Sequence, residues 1–299
     1  MIIVQIQGGF GNQLFQYAFG LHIKSTYNLE VKFNTSFFSN QNQFNKSGNS
    51  VRNFDLFELL NLKGHNNSKL NSEFVFIKNY YSFINRFLKR FNLFFYKRKL
   101  FRFYKEESFN TSLILSESNL NLILDGYWQD SSYIDETFIY KIQNLLDRIS
   151  HPVSFNDINF SQSVSVHVRR DDYVNHKVFV VLSNDYYNTA IKYLNSKISN
   201  PHFYLFSDDN FSNNDLKKLT QLFPKNSIKV IKPHSTLLDF YLMYKCSHNI
   251  VANSTFSWWA SILNKNTDKV MLAPYQWTKN DFVDNEIITK LLSKHIIIN

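Results

Sequence analysis

The run His167-Val168-Arg169-Arg170-Asp171-Asp172-Tyr173 carries the sharpest chemical signal in the sequence. Two adjacent guanidinium groups can hold a diphosphate through bidentate, charge-assisted hydrogen bonds. When a sugar leaves a nucleoside diphosphate, negative charge grows on the departing phosphates. Fixed cationic donors aimed at that charge lower the barrier without a metal, and one such donor is commonly worth about a hundredfold in rate. The same residues also admit a purely structural reading, in which Arg169 and Arg170 pair with Asp171 and Asp172.

Three further runs could contribute. Gly8-Gly9-Phe10-Gly11-Asn12-Gln13 combines glycines, which let a ligand approach the backbone, with a helix start whose free N–H groups suit an anion. It lacks the Lys-Ser/Thr ending of a phosphate-binding P-loop and the spacing of the dinucleotide fingerprint, so a plain tight turn is an equal alternative. Ala252-Asn253-Ser254-Thr255-Phe256-Ser257-Trp258-Trp259 offers hydroxyls at a strand-to-helix junction, able to cap the helix or donate to phosphate. Its two tryptophans read as core. Asp239, among Leu237, Leu238 and Phe240, could accept hydrogen bonds from a guanine edge or a ribose. Ser207-Asp208-Asp209 is compatible with a metal–diphosphate site, but Asp at a helix start caps equally well. No His/Cys spacing suits zinc and no Gly-x-Ser-x-Gly elbow occurs.

The elements that must hold these residues alternate. Ile2–Ile6 reads as a buried strand and is followed by a helix with Leu14, Phe15, Ala18 and Phe19 on its apolar stripe. A strand is expected near Glu30–Phe33, a polar loop over Ser39–Ser50, a strand over Asn121–Leu124 and a helix over about Ser131–Ile149. His151-Pro152 through Ser161 reads as a linker. Beyond it, strands are expected at 163–168, 203–206, 228–231, 249–252 and 270–272. Helices are expected at 184–194, 213–222, 236–245 and 255–263. Such alternation predicts parallel sheets wrapped by helices. The expected organisation is a first domain of residues 1–155 and a second of 160–299, two Rossmann-like domains facing a cleft.

The 299 residues carry 33 Lys/Arg against 24 Asp/Glu, a net charge of +9. From Phe74 to Lys105 there are nine Lys/Arg and no acid, interleaved with aromatics. This segment predicts a basic helix, either docked on an anionic membrane surface or solvated with its aromatics packed inward. Nucleic acid is disfavoured as a partner. The single cysteine, Cys246, cannot form an internal disulfide and reads as a small buried apolar residue. The N-terminal residues are rich in Gln and Asn, unlike a secretory leader, and no run is apolar enough to span a membrane. A cytoplasmic protein, peripheral on the inner face of the membrane, is expected.

Taken together the motifs resemble the alpha-1,2-fucosyltransferases, glycosyltransferase family 11, of bacterial type. The resemblance rests on GGFGNQLFQYA, GYWQD at Gly126–Asp130, HVRRDDYV at His167–Val174 and DYYNTAI at Asp185–Ile191. FSDD at Phe206–Asp209, DFYLMYKCSHNIVANSTFSWWASIL from Asp239, and APYQW at Ala273–Trp277 complete it. It spans nearly the whole chain and is weakest over Ser39–Glu106. It implies a GT-B type α/β fold and inverting, metal-independent transfer of L-fucose from GDP-fucose, with no cofactor. The implied acceptor is the 2-hydroxyl of a galactose in an O-antigen or lipooligosaccharide, plausibly as a lipid-linked glycan. By the same resemblance Arg169, with Arg170 beside it, holds the β-phosphate, and His167 lies near the guanine or ribose. Asp239 reads the nucleoside, and Asn253, Ser254, Thr255 and Phe256 line the diphosphate and base. Phe10, Gly11 and Asn12 lie across the cleft near the transferred fucose, with Asn12 counted among the catalytic residues. Asp171 departs from the glycine usual in the family, and its carboxylate could weaken diphosphate binding or point outward. Transfer of another nucleotide sugar, or glycan binding without catalysis, remains open on these residues.

Overall fold

The computed structural model describes residues 1–39, 52–61, 72–110, 121–150, 155, 158–170, 173–174, 176–207, 213–225, 227–232 and 234–299. Asp171, Asp172, Asp208, Asp209 and most of the expected 39–50 loop and 151–161 linker lie outside them. The chain divides into two units, Met1–Ile139 and Tyr140–Asn299. The division falls within the Glu136–Leu146 helix, upstream of the expected linker. The helix's later residues and those after it are tied into the second unit. Gln143 Nε2 donates to Leu263 O, while Asp147 accepts from Tyr244 Oη and pairs with Lys265.

In the first unit the strands are β1 (Ile2–Gln5), β2 (Val31–Asn34), β3 (Phe74–Val75), β4 (Leu93–Tyr96), β5 (Lys99–Lys105) and β6 (Leu122–Asp125). They form one sheet in the order β3-β2-β1-β6-β5-β4, parallel except for the antiparallel β4–β5 pair. β1 is buried on both faces, as the apolar run Ile2-Ile3-Val4 requires, and its buried Gln5 is hydrogen-bonded to Ile6 O. The Phe10–Tyr27 helix follows it. This helix carries no acid in its first turn and buries Gln13 and Gln16 completely. Buried amides must be satisfied, and these two are: each holds backbone of the neighbouring loops, as described below.

The second unit contains β7 (Ser163–Val168), β8 (His202–Ser207), β9 (Ile228–Val230), β10 (His248–Ile250), β11 (Met271–Pro274) and β12 (Ile296–Ile298). The sheet is wholly parallel, in the order β12-β11-β10-β7-β8-β9. Helices Asn184–Lys197, Thr236–Lys245 and Thr255–Leu263 lie where the alternation predicts. Trp258 and Trp259 are buried in its core, as is Cys246. Both units are therefore Rossmann-like α/β layers, the pair that the GT-B class denotes.

The 74–105 segment corrects the expectation of a basic helix. Only Phe83–Leu88 is α-helical, extended by a 3-10 turn over Lys89–Phe91. Phe74–Val75 is the edge strand β3, and Leu93–Lys105 forms the β4–β5 hairpin, on which Phe94, Phe101 and Phe103 turn inward and pack with Ile3, Tyr80 and Ile123. Strand alternation outweighs helical periodicity here because the inward positions fill the first unit's core. Among the described residues no helix is long and apolar enough to cross a membrane.

Candidate functional site

In the second unit the chain runs from β7 outward to β8 and β9. It then returns to the opposite side of β7 as β10, so the strand order reverses between β7 and β10. At such a reversal the connecting helices diverge, and a ligand-binding notch opens beyond the strands' carboxyl ends. Ile250 pairs with Val166, so the segments leaving both strands are neighbours. One begins Arg169-Arg170 and the other runs through Asn253-Ser254 into the Thr255–Leu263 helix. Ser254 caps that helix, its hydroxyl accepting from Phe256 N at 3.3 Å. A helix N-terminus and two arginines thus meet at the reversal, a combination suited to an anion.

Several contacts fix this geometry. Tyr173 N and Val174 N both donate to Arg170 O, at 2.7 and 3.0 Å, turning the chain back after β7. That brings the Tyr173 ring to 5.3 Å from the Arg169 guanidinium carbon. The ring stacks in turn on Phe179, with centroids 4.7 Å apart. Tyr173 Oη donates to Asn253 O, linking the two segments directly. Asn253 is buried, and its Nδ2 donates to Val180 O and Trp277 O, both at 2.9 Å. Its amide hydrogens therefore brace the surrounding loops, and Asn253 shapes the site from behind.

His167 is buried at the end of β7, with Nδ1 2.9 Å from Ser257 Oγ. Ser257 Oγ also accepts from Ala252 N at 3.2 Å and lies 3.4 Å from Ser254 O. The hydroxyl thus ties the imidazole to the backbone on both sides of the Ala252–Ser257 turn. Burial first, and the Arg169 charge second, push the imidazole down to about 3, so it is neutral at physiological pH. The ring lies 5.8 Å from Phe256, which makes an edge contact with Phe240 at 5.3 Å. Phe240 adjoins Asp239 on the Thr236–Lys245 helix. Asp239 Oδ2 accepts from His234 N at 3.2 Å, and Oδ1 lies 3.5 Å from His234 Nδ1. Oδ1 is buried without a hydrogen bond, and burial raises the carboxyl above its ordinary value. A donor edge such as an amidine or guanine N–H would satisfy it.

The first unit has the same reversal, between β1 and β6. Gly8, at φ 77°, turns the chain out of β1 into the helix. Gln13 Nε2 donates to Gly8 O and Asn53 O, and its Oε1 accepts from Leu56 N. Gln16 accepts from Gln7 N and donates to Gly126 O, bridging the loops beyond β1 and β6. Gln129 Nε2 donates to Asn12 Oδ1 at 3.0 Å. Of the three residues expected beside the transferred sugar, Phe10 and Gly11 are buried and only Asn12 keeps an accessible side chain. Trp128, at φ 55°, is held in the left-handed region with its ring stacked 4.0 Å from Phe19. Tyr127 beside it stays exposed.

Sequence reasoning assigned no role to Ser257, Tyr173 or Gln129. Ser257 and His167 are 90 positions apart, and no local pattern couples them. Tyr173 and Gln129 do stand inside the quoted motifs, where their aromatic and amide groups were the available signal.

Against this geometry, the family model for "Glycosyl transferase family 11" matches residues 1–292. The chain is 26% identical over 298 residues to an alpha-1,2-colitosyltransferase of Escherichia coli, covering 94% of this chain and 93% of that one. Over 122 residues it is 34% identical to the O-antigen biosynthesis glycosyltransferase WbnK of Escherichia coli, 39% of each chain. Among solved structures, the NodZ alpha-1,6-fucosyltransferase soaked with GDP-fucose matches with a TM-score of 0.44 at 15% identity. That match covers 88% of this chain and 92% of the other.

Proposed function

The chain belongs to glycosyl transferase family 11, and from that premise we propose that it transfers L-fucose, with inversion, from GDP-fucose to the 2-hydroxyl of a galactose. The acceptor in this reading is a lipid-linked O-antigen or lipooligosaccharide intermediate at the inner face of the cytoplasmic membrane. The observation that carries it is the β7/β10 reversal, where Arg169 and Arg170 meet the N-terminus of the Thr255–Leu263 helix.

In this reading Arg169 takes up the charge that develops on the departing GDP, with Arg170 and the Ser254 and Thr255 backbone completing the diphosphate cradle. Neutral His167, held by Ser257, lies beside the nucleoside without adding charge. Asp239 accepts from the guanine edge, and Phe256 packs against the base. In the first unit Gln129 steadies Asn12, and Phe10 and Gly11 set the loop that carries it. Guanidinium groups replace a divalent ion in this scheme.

A second donor has support of its own. The colitosyltransferase relative matches nearly end to end, and colitose is L-fucose without its 3-hydroxyl. A site that hydrogen-bonds that hydroxyl discriminates strongly against the deoxy sugar, whereas a site that leaves it unbound accepts both.

The test is a donor screen with labelled GDP-fucose, GDP-colitose, GDP-mannose and UDP-galactose on a galactose-terminated acceptor, with chelator present. Transfer from GDP-fucose under chelator is expected. Arg169→Ala should lower kcat by roughly a hundredfold or more with the urea midpoint unchanged. Preference for UDP-galactose, loss of transfer on chelation, or near-normal turnover of the arginine variant would sink the reading.

A further inference from the structure

The short helix at Phe83–Leu88 is inside out. Phe83 is 80% exposed, Ile84 66%, and Phe87 and, in the following turn, Phe91 are 51% and 61% exposed. Its inward positions are polar. Asn85 is buried and clamps the helix to the hairpin: Nδ2 donates to Asn79 O and Phe95 O, and Oδ1 accepts from Phe95 N. Lys89 also turns inward, its ammonium 3.7 Å from the centre of the Tyr80 ring and 3.9 Å from Asp125 Oδ2. A helix built for water would reverse this arrangement.

The hairpin continues the pattern. Phe95 and Leu100 face each other across β4 and β5 and are both about half exposed, while Phe94 and Phe101 point inward. At its tip Lys97 and Arg98 both adopt left-handed backbone, φ 48° and 61°, in the two-residue turn that Asn-Gly would form with less strain. Cations stand there instead. Of the nine Lys/Arg between Phe74 and Lys105, all but Lys89 are exposed, and no acid interrupts them.

We propose that the helix and hairpin of residues 83–102 dock this protein on an anionic lipid bilayer. The phenylalanines and Ile84 enter the headgroup–acyl boundary, and Arg86, Arg90 and the hairpin-tip cations meet lipid phosphates. Aromatic side chains beside arginines suit that interface, whose outer layer is charged and whose inner layer is apolar. A second copy of the chain fits poorly, because it would bring the same uncompensated cations face to face. The surface lies entirely within the first unit, and the inference is independent of which sugar is transferred.

Sedimentation of the full-length protein with vesicles of phosphatidylcholine, with and without phosphatidylglycerol, tests the proposal. Binding is expected to the anionic vesicles and to fall with salt. Arg86→Gln with Arg90→Gln should weaken it by roughly 30-fold, and Phe83→Ser with Phe87→Ser by roughly tenfold per residue. Lys225→Gln with Lys229→Gln, in the second unit, should leave it unchanged. All of these side chains are exposed, so unaltered urea midpoints confirm that each variant folds. Three outcomes would overturn the proposal: no anionic-vesicle binding, equal binding by wild type and the phenylalanine variant, or a dimer dissolved by that variant without vesicle binding.

Discussion

Protonating His167 should destabilise this protein in a defined pH window. The unfolded imidazole titrates near 6.5, whereas burial and then Arg169 hold the folded one down to about 3. Between those values the unfolded chain binds a proton that the native chain refuses. The stability contributed by the neutral ring is therefore present above pH 6.5 and is lost as pH falls. From the two values, about 2 kcal/mol disappears between pH 7 and pH 5, and about 4 kcal/mol by pH 3. Other buried histidines share the window: His295 is pushed down to about 4 and His248 is also lowered, both chiefly by burial. The informative quantity is therefore a difference. Urea unfolding, followed by tryptophan fluorescence at pH 7 and pH 5, is compared between wild type and His167→Gln. The glutamine cannot titrate, so the pH-dependent loss should shrink by about 2 kcal/mol in the variant, whatever its baseline stability. An identical loss in both proteins would show that His167 is not held neutral by burial, and the assigned Ser257 contact would fall with it.

Two further perturbations probe the loops. Gly8→Ala places a Cβ 2.9 Å from Asn12 Nδ2 at a φ of +77°, and should cost about 1–3 kcal/mol in urea unfolding. An unchanged midpoint would mean that the β1 loop is not held as described. Asn253→Ala removes the donors to Val180 O and Trp277 O in a buried setting and should cost about 2–3 kcal/mol. If Asn253 braces the site from behind, donor KM should rise more than kcat falls, and a change confined to kcat would argue for direct contact instead.

The second unit was legible because its strands are short apolar runs separated by helices of regular length. β7 is buried at all six positions, and the Thr236–Lys245 and Thr255–Leu263 helices have the boundaries read from sequence. The β4–β5 hairpin was not. Its turn, Tyr96-Lys97-Arg98-Lys99, lacks Asn-Gly or Asp-Gly, and left-handed backbone at two such residues costs roughly 1–2 kcal/mol each. The alternation of Leu100 and Arg102 outward with Phe101 and Phe103 inward was masked by the density of cations. The Asp281–Leu291 helix and β12 also escaped, since they depend on distant partners. Buried Asp284, for instance, accepts from Trp277 N, Thr278 N and the Thr278 hydroxyl. At the site, the sequence presents the local groups, such as Arg169 and Asp239, without their surroundings. The bracing contacts of Ser257, Asn253 and Gln16 join segments far apart in sequence, and only folding pairs them.

Those bracing contacts suggest why the two units differ in what they can bind. Where strand order reverses, the loops beyond adjacent strands expose backbone groups that no regular ladder satisfies. Each unit answers with one buried polar side chain from a helix. Gln16 joins Gln7 N to Gly126 O across β1 and β6, and Ser257 joins His167 to Ala252 N across β7 and β10. The notches are thus held open by the same device, and their chemistry is set by what lines them. Around the first stand the amides of Asn12 and Gln129 and the exposed Tyr127 ring, with Arg52 near Gly9 and Glu106 accepting from Tyr127 N. That lining suits a neutral polyol, bound by amides and an aromatic face. Around the second stand two guanidinium groups and a helix N-terminus, donors that suit an anion. The second lining thus suits an anion, and the first a neutral, hydrogen-bonding surface.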